Sequence, residues 1–135
     1  MSYPLTDIEG IDAEVVSILK TVGIRSTERL LEAASTVKAR KVLAIKTGFE
    51  EKQLLCWANV ADRMRIKGIS KEYSGLLQAA GVDTVKELKY RNPANLAKAM
   101  AEANRKRKMV RLLPSEKVVE RWIGHAKTLP LKITY

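Results

Sequence analysis

The sequence predicts an all-α protein made of two tandem four-helix repeats. First, only 5% of the residues are aromatic, alternating β-branched runs are few, and Ala, Leu, Lys and Glu are abundant. Second, apolar residues recur at helical spacing between turn-forming glycines. Third, residues of the first half recur in the second half at a constant offset. We therefore expect helices joined by short turns around an aliphatic core.

The first two helices have recognisable start signals. Asp12 can cap a helix that runs to Val22, because its carboxylate can accept the unpaired N–H groups of the first turn. Gly23 then supplies the left-handed residue that often ends a helix. Ser26 can cap a second, shorter helix in the same way.

The third and fourth helices are predicted from apolar periodicity and from residues typical of helix ends. The third is expected from about Lys38 to Thr47 and ends at Gly48. The fourth begins near Glu50, since an acid suits a helix N-terminus, and continues to about Met64.

The second half repeats this plan at an offset of 58 residues. Thr84 and Glu87 form a capping box for a sixth helix, and Asn92-Pro93 starts a seventh. The eight matching pairs are Ile8 and Ile66, Gly10 and Gly68, Ile11 and Ile69, Leu19 and Leu77, Gly23 and Gly81, Ile24 and Val82, Ser26 and Thr84, and Leu30 and Leu88.

Near the C-terminus the offset increases to 65. Trp57 then matches Trp122, and both are expected to be core anchors rather than surfaces for a ligand. The change of offset implies seven extra residues between Leu88 and Pro114.

These matches define the expected domain organisation. We place the first repeat at residues 1–64, the second at residues 65–129 and a C-terminal tail at residues 130–135. About 60 residues make a marginal core alone, so the repeats are expected to pack side by side as one compact unit. The tail is too short to classify, and an extended, strand-like segment that packs back is one interpretation.

The charge is strongly asymmetric along the chain. Residues 1–60 contain eight Lys or Arg and eight Asp or Glu, whereas residues 61–135 contain seventeen and seven. The whole net charge of +10 therefore lies in the second half. Such a distribution favours an acidic partner for that half, most often nucleic acid, although an acidic protein also fits.

Residues for catalysis or metal binding are scarce. A single histidine, His125, and a single cysteine, Cys56, provide neither a zinc cluster nor a Cys/His pair. Cys56 is expected to be buried in an apolar run, and His125 to be an ordinary half-buried or surface residue. No phosphate-binding glycine-rich loop occurs. We therefore expect a protein that is not an enzyme, with no cofactor, metal site or small-molecule substrate.

No signal peptide or membrane-spanning run is visible in the sequence, so a cytoplasmic location is expected. The oligomeric state is left open.

The turn before the fifth helix is the main candidate site. The N–H groups of Gly68, Ile69 and Ser70 would open that helix, where unpaired amides and the helix dipole favour an anion. Glycine permits a tight turn and a close approach to the backbone. Lys67 and Lys71 flank these amides, and the sequence therefore predicts a phosphate site here.

The chain resembles a known class at these residues. The pattern Ile-x-Gly-Ile, followed by Leu-x-x-x-Gly-(Ile/Val)-x-(Ser/Thr)-x-x-x-Leu, resembles the helix-hairpin-helix class of nonspecific DNA-binding elements and the C-terminal domain of the bacterial RNA polymerase α subunit. The whole chain is similar to a bacterial and archaeal family of tandem helix-hairpin-helix proteins described as a domain of unknown function. The matching stretches are residues 66–69, 79–88 and 91–93 and Trp122. The resemblance implies two helix-hairpin-helix (SAM-like) repeats.

The two copies depart differently from that class. DNA-binding members usually have a second glycine two residues after the first, where this chain has Asp12 and Ser70. Serine permits the N–H geometry and can donate to phosphate, whereas aspartate repels it. Glu9 and Glu14 add to that repulsion in the first copy, which we therefore expect to be structural or to face a protein.

A second basic element lies in the inserted segment. Arg105, Lys106, Arg107 and Lys108 form a run that Arg111 continues. Cations also suit a solvent-facing helix C-terminus, so the run alone does not decide between that role and phosphate binding.

The predicted function is nonspecific binding of the nucleic-acid backbone, with DNA favoured over RNA. The predicted contacts are Lys67, Gly68, Ile69, Ser70, Lys71, Arg105, Lys106, Arg107, Lys108 and Arg111. Base-specific contacts are not expected, because no helix has a series of Arg, Asn and Gln suited to a groove. The alternative is a protein-interaction or scaffold module.

Overall fold

The structure is a computed structural model that describes residues 2–135. Within this range the chain forms no β-strand, and one isolated bridge joins Pro4 and Ser26. The all-α prediction is therefore confirmed. A short 3-10 helix, Leu5–Asp7, precedes eight α-helices: α1 (Ala13–Thr21), α2 (Thr27–Ala33), α3 (Val37–Thr47), α4 (Glu51–Arg63), α5 (Lys71–Ala79), α6 (Val85–Leu88), α7 (Pro93–Lys106) and α8 (Glu116–Thr128).

The chain divides into two compact units, each with its own apolar core. The first contains the chain through Arg65 together with Lys132–Tyr135, and the second is Ile66–Leu131. Trp57 and Trp122 are 3% and 4% exposed in the respective cores, as expected for core anchors.

Equivalent turns end the first helix of each unit. Gly23 has φ +81° and Gly81 has φ +98°, a left-handed conformation that residues other than glycine rarely adopt. The residue after each glycine donates its N–H back into the helix. Ile24 donates to Leu19 O at 3.0 Å, and Val82 donates to Leu77 O at 2.9 Å.

The next helix of each unit begins with a side-chain cap. The hydroxyl of Ser26 accepts the N–H of Arg29 at 3.2 Å, and the hydroxyl of Thr84 accepts the N–H of Glu87 at 3.1 Å. These contacts confirm both predicted caps, because each satisfies a first-turn donor that would otherwise lack a partner.

The last residues of the chain belong to the first unit. Thr134 donates its N–H to Ser35 O at 2.8 Å, and its carbonyl accepts from Nη2 of Arg40 at 2.7 Å. Nη1 of Arg40 donates to Ala34 O at 2.9 Å, so the nearly buried guanidinium links the tail to the α2–α3 turn. Tyr135 donates its hydroxyl to Oδ1 of Asn59 in α4.

The prediction for Cys56 was wrong, because this residue is exposed. The buried positions of the surrounding part of α4 are Leu54, Trp57, Ala58 and Ala61. These residues follow the three- and four-residue spacing of one helix face, and position 56 falls outside it.

Candidate nucleic-acid interface

The turns that precede α1 and α5 have the same backbone geometry. Gly10 has φ +93° and Gly68 has φ +94°. Ile11 donates its N–H to Ile8 O at 3.1 Å, and Ile69 donates to Ile66 O at 3.0 Å. The four isoleucines are at most 5% exposed, so burial of their side chains in the cores stabilises both turns.

A tryptophan lies beneath each of these glycines. A Cβ added at Gly10 would lie 3.5 Å from Nε1 of Trp57, and one added at Gly68 would lie 3.2 Å from Nε1 of Trp122. The positive φ favours glycine at both turns, and at Gly68 the close approach of the indole leaves little room for a Cβ as well.

The residues that precede α1 and α5 differ in capping although their backbones agree. Asp12 has φ −98° and ψ −174°, and Ser70 has φ −102° and ψ −169°. Oδ1 of Asp12 accepts the N–H of Val15 at 3.0 Å, whereas Ser70 makes no side-chain cap. In the first turn, the Asp12 carboxylate thus lies at the N-terminus of the helix. In the second turn, the equivalent position is open to a bound anion.

The second turn keeps a set of amide donors without protein partners. Within residues 2–135, the N–H groups of Gly68, Ser70 and the first three residues of α5 have no acceptor. The predicted donor set differs at one position, because the N–H of Ile69 closes the turn onto Ile66 O. Lys67 uses its own N–H as well, since it donates to Nδ1 of His125 at 3.1 Å.

Side-chain charge separates the two turns further. Residues 8–14 contain three acids and no base, for a charge of −3, whereas residues 66–72 contain two lysines and one glutamate, for +1. Lys67, Gly68, Ser70 and Lys71 are all exposed, and Ile69 is fully buried. Ile69 therefore contributes to the shape of the turn and offers no exposed contact.

Asn104 holds in place the connection between α7 and α8, which contains part of the basic run. This connection, residues 107–115, joins α7 to α8, whereas residues 48–50 suffice between α3 and α4. Oδ1 of Asn104 accepts the N–H groups of Met109 and Val110 at 2.8 and 3.0 Å. Val110 is 4% exposed, and its burial anchors the middle of the connection.

Beyond this anchor the connection runs along α5 towards the turn. The Met109 methyl group packs on Gly75, where an added Cβ would lie 3.2 Å away. The Tyr73 hydroxyl then donates to Leu112 O at 2.9 Å. Arg111 lies between these two contacts along the chain and is exposed.

The rest of the basic run is placed differently. Arg105 forms an ion pair with Glu102 at 2.6 Å, and both side chains are substantially exposed. Lys106, Arg107 and Lys108 are exposed at the end of α7 and precede the Met109 contact. None of these four residues lines the cleft beside the turn in the part of the chain that the structure describes.

A cleft of about 700 Å³ lies beside the second turn. Its floor contains the rings of Tyr73 and Trp122, whose centroids are 5.4 Å apart at an interplanar angle of 54°. The remaining lining residues come from the turn, the connection and α8: Lys67, Gly68, Leu112, Leu113, Pro114, Ser115, Val118, Arg121 and His125.

Comparison with known proteins identifies the family. The family model described as "Domain of unknown function (DUF4332)" matches residues 9–129. The chain belongs to this family. No curated protein and no solved structure matches it.

Membership in this family confirms the predicted resemblance to a domain of unknown function. Within residues 2–135, no group of three or more His, Cys, Asp or Glu residues could hold a metal ion. In the same range, no helix has the length and apolar composition needed to cross a membrane.

Sequence reasoning missed the cleft and three residues that shape it: Tyr73, Arg121 and His125. The inserted residues were visible as a change of offset, but their path along α5 depends on the buried Val110 and the Asn104 contacts. No local pattern indicates that His125 accepts the N–H of a residue 58 positions earlier.

Proposed function

We propose that this protein is a non-catalytic binding module that contacts nucleic-acid phosphates through its second turn. In this proposal the two units are helix-hairpin-helix repeats, and DNA is favoured over RNA. The observation that supports it best is the contrast between two turns of equal backbone geometry. Asp12 caps the first, whereas Ser70 leaves the second open between two exposed lysines.

The chemistry of the second turn suits a phosphate group. Free amides at a helix N-terminus point towards solvent, and the helix dipole adds about half a positive charge. Lys67 and Lys71 add two full charges beside these donors. Glu72 carries the opposing charge in the same turn, so the net value is +1. Hydrogen bonds to a charged group contribute roughly 1.5–3 kcal/mol each, which is more than one exposed carboxylate removes.

The other cations would extend the contact along the backbone. Arg121 lines the cleft together with Lys67 and Gly68 of the turn, and Arg111 is exposed next to Leu112, whose carbonyl accepts from Tyr73 of α5. The second unit contains fourteen Lys or Arg and six Asp or Glu, for a net charge of +8. We expect binding without sequence preference, at roughly 1–100 µM in physiological salt.

The decisive experiment measures DNA and RNA affinity across a range of salt concentrations. Contact with about four to six phosphates gives a log–log slope of about −3.5 to −5.5. Lys67→Glu combined with Lys71→Glu should flatten that slope by about 2, since each lost phosphate contact changes it by about 0.9.

A matched control separates the site from general charge. Lys86→Glu combined with Lys98→Glu changes two exposed lysines of the same unit and lowers the net charge equally, from +10 to +6. The control should keep most of the wild-type slope. Equal losses in the two variants would refute a localised site, and no binding at low salt would refute the function.

A groove on the first unit favours a protein-interaction module as the second candidate. The groove measures about 390 Å³ beside α3, and Val42 within it is 44% exposed. Ile45 on the same helix is 85% exposed, an unusual position for an isoleucine. Partners captured from lysate that survive nuclease and high salt would favour this candidate, and partners lost on nuclease treatment would favour nucleic acid.

A further inference from the structure

The residue that precedes the cap of the last helix differs between the two units, and in the second unit it lines the cleft. Phe49 immediately precedes the α4 cap Glu50 and packs edge-on against Trp57, with ring centroids 5.1 Å apart. In the second unit, Pro114 immediately precedes the α8 cap and lies the same number of residues before Trp122. Pro114 supplies no such ring and lines the cleft instead.

Part of the cleft lining is apolar, and a hydrogen bond holds one of its aromatic rings. Tyr73 is held at its hydroxyl by Leu112 O, so its ring cannot rotate into the cleft without losing that hydrogen bond. Leu112 and Leu113 line one side and are 75% and 41% exposed. Exposed leucines beside aromatic rings favour an occupant with a flat apolar surface.

The rim of the cleft is positively charged. Lys67 and Arg121 lie on it, and no acidic residue of the described chain lines it. His125 accepts the Lys67 N–H through Nδ1, which leaves the proton of the neutral imidazole on Nε2 as a further donor. An occupant that is complementary to this site combines a flat ring with an anionic group.

We propose that the cleft accepts an unpaired base of a single-stranded nucleic acid whose phosphate lies at the Gly68 turn. This inference rests on the proposed function and specifies its substrate class. A cleft of about 700 Å³ is within the roughly 300–1,000 Å³ typical of small-ligand sites. A base inside a duplex is stacked and paired, so it must leave the helix before it can enter. Single strands therefore bind more tightly than duplexes.

The test uses the full-length Trp57→Phe variant, in which Trp122 becomes the sole tryptophan. The probes are a short mixed-sequence single-stranded DNA, its duplex, and an abasic strand of the same length. The base-bearing strand should quench the fluorescence of Trp122. It should also bind at least about fivefold more tightly than either of the other probes, because stacking one base on an aromatic side chain changes affinity by about five- to 150-fold.

A second variant fills the cleft from within. Pro114→Phe places in the second unit the residue type that the first unit has at Phe49. It should remove the preference for single strands and leave duplex binding unchanged. Val118→Phe fills the same cleft from α8 and replaces the first variant if circular dichroism shows that Pro114→Phe does not fold.

The outcomes separate the two proposals. Equal binding of the base-bearing, abasic and duplex probes overturns the base site and leaves phosphate binding intact. Retention of the single-strand preference in a folded cleft-filling variant also overturns it. Absence of binding to every nucleic-acid probe overturns the proposed function and this inference together.

Discussion

The turn at residues 8–14 and the turn at residues 66–72 have almost the same backbone and opposite charge. The φ angles of their glycines differ by one degree, and a buried tryptophan lies under each. One carries a charge of −3 and caps its helix with Asp12, and the other carries +1 and leaves its helix uncapped at Ser70. The shared residues thus determine shape, and the residues that differ determine which ligands that shape can meet.

Removal of the tryptophans should have the largest effect. Trp57→Ala and Trp122→Ala should each lower the free energy of unfolding by about 3–5 kcal/mol, because each side chain is almost fully buried beneath its glycine. Urea denaturation followed by far-UV circular dichroism measures the loss. A change below about 1 kcal/mol in either variant would show that the two turns are not supported in the same way.

Deletion of residues 132–135 should destabilise the first unit and leave the second unit unchanged. The first unit loses the acceptor of a buried arginine and a backbone hydrogen bond, which together contribute about 2–4 kcal/mol. Trp57 reports on this unit in a Trp122→Phe background, and Trp122 reports on the other in a Trp57→Phe background. If deletion shifts the unfolding transitions reported by Trp57 and Trp122 equally, the tail does not stabilise the first unit alone.

Substitution of the turn glycines tests the shared backbone. Gly10→Ala and Gly68→Ala should each destabilise the protein by about 1–3 kcal/mol, because alanine is strained at positive φ. Gly68→Ala should have the larger effect, since its Cβ would lie closer to the indole. Gly124→Ala is the control, because Gly124 lies in α8 with open space around it. This substitution should stabilise the protein by about 0.5–1 kcal/mol. Thermal denaturation ranks the three variants.

The smallest change in stability should accompany the sharpest change in function. Ser70→Asp should raise stability by up to about 1 kcal/mol, because its backbone angles match those of Asp12, which caps α1. The same carboxylate should compete with phosphate for the free amides and weaken DNA binding. The reciprocal Asp12→Ser should lower stability by up to about 1 kcal/mol, since Ser70 makes no side-chain cap at almost the same backbone angles. If Ser70→Asp binds DNA as the wild type does, the amides of α5 are not part of the site.

Much of the fold follows from local signals in the sequence. Gly48 ends α3 in a left-handed conformation, and Asn92 caps α7 through the N–H of Asn95, both at the predicted positions. These features depend on residues within one turn of each other, where propensity and capping dominate. Cys56 was misjudged because its apolar neighbours obscured the helical phase that exposes it.

The candidate site was less predictable because it depends on distant contacts. The sequence identifies the charges near Gly68, but not the ion pair that neutralises Arg105 or the turn bond that uses the Ile69 amide. The cleft requires a connection held by Asn104 and a hydroxyl bond from Tyr73. Such features arise from tertiary packing, which pattern reasoning along the chain does not capture.

Residues Lys132–Tyr135 belong to the first unit although they are synthesised last, and this affects the order in which the two units can complete their folding. Ribosomes make the chain from its N-terminus, and continuous N-terminal domains can fold while later residues are still being added. Here the carbonyl that accepts from Arg40 belongs to Thr134, which is translated after all of the second unit. The first unit is therefore begun first and completed last, and the second unit can acquire its core while the guanidinium of Arg40 still lacks one acceptor.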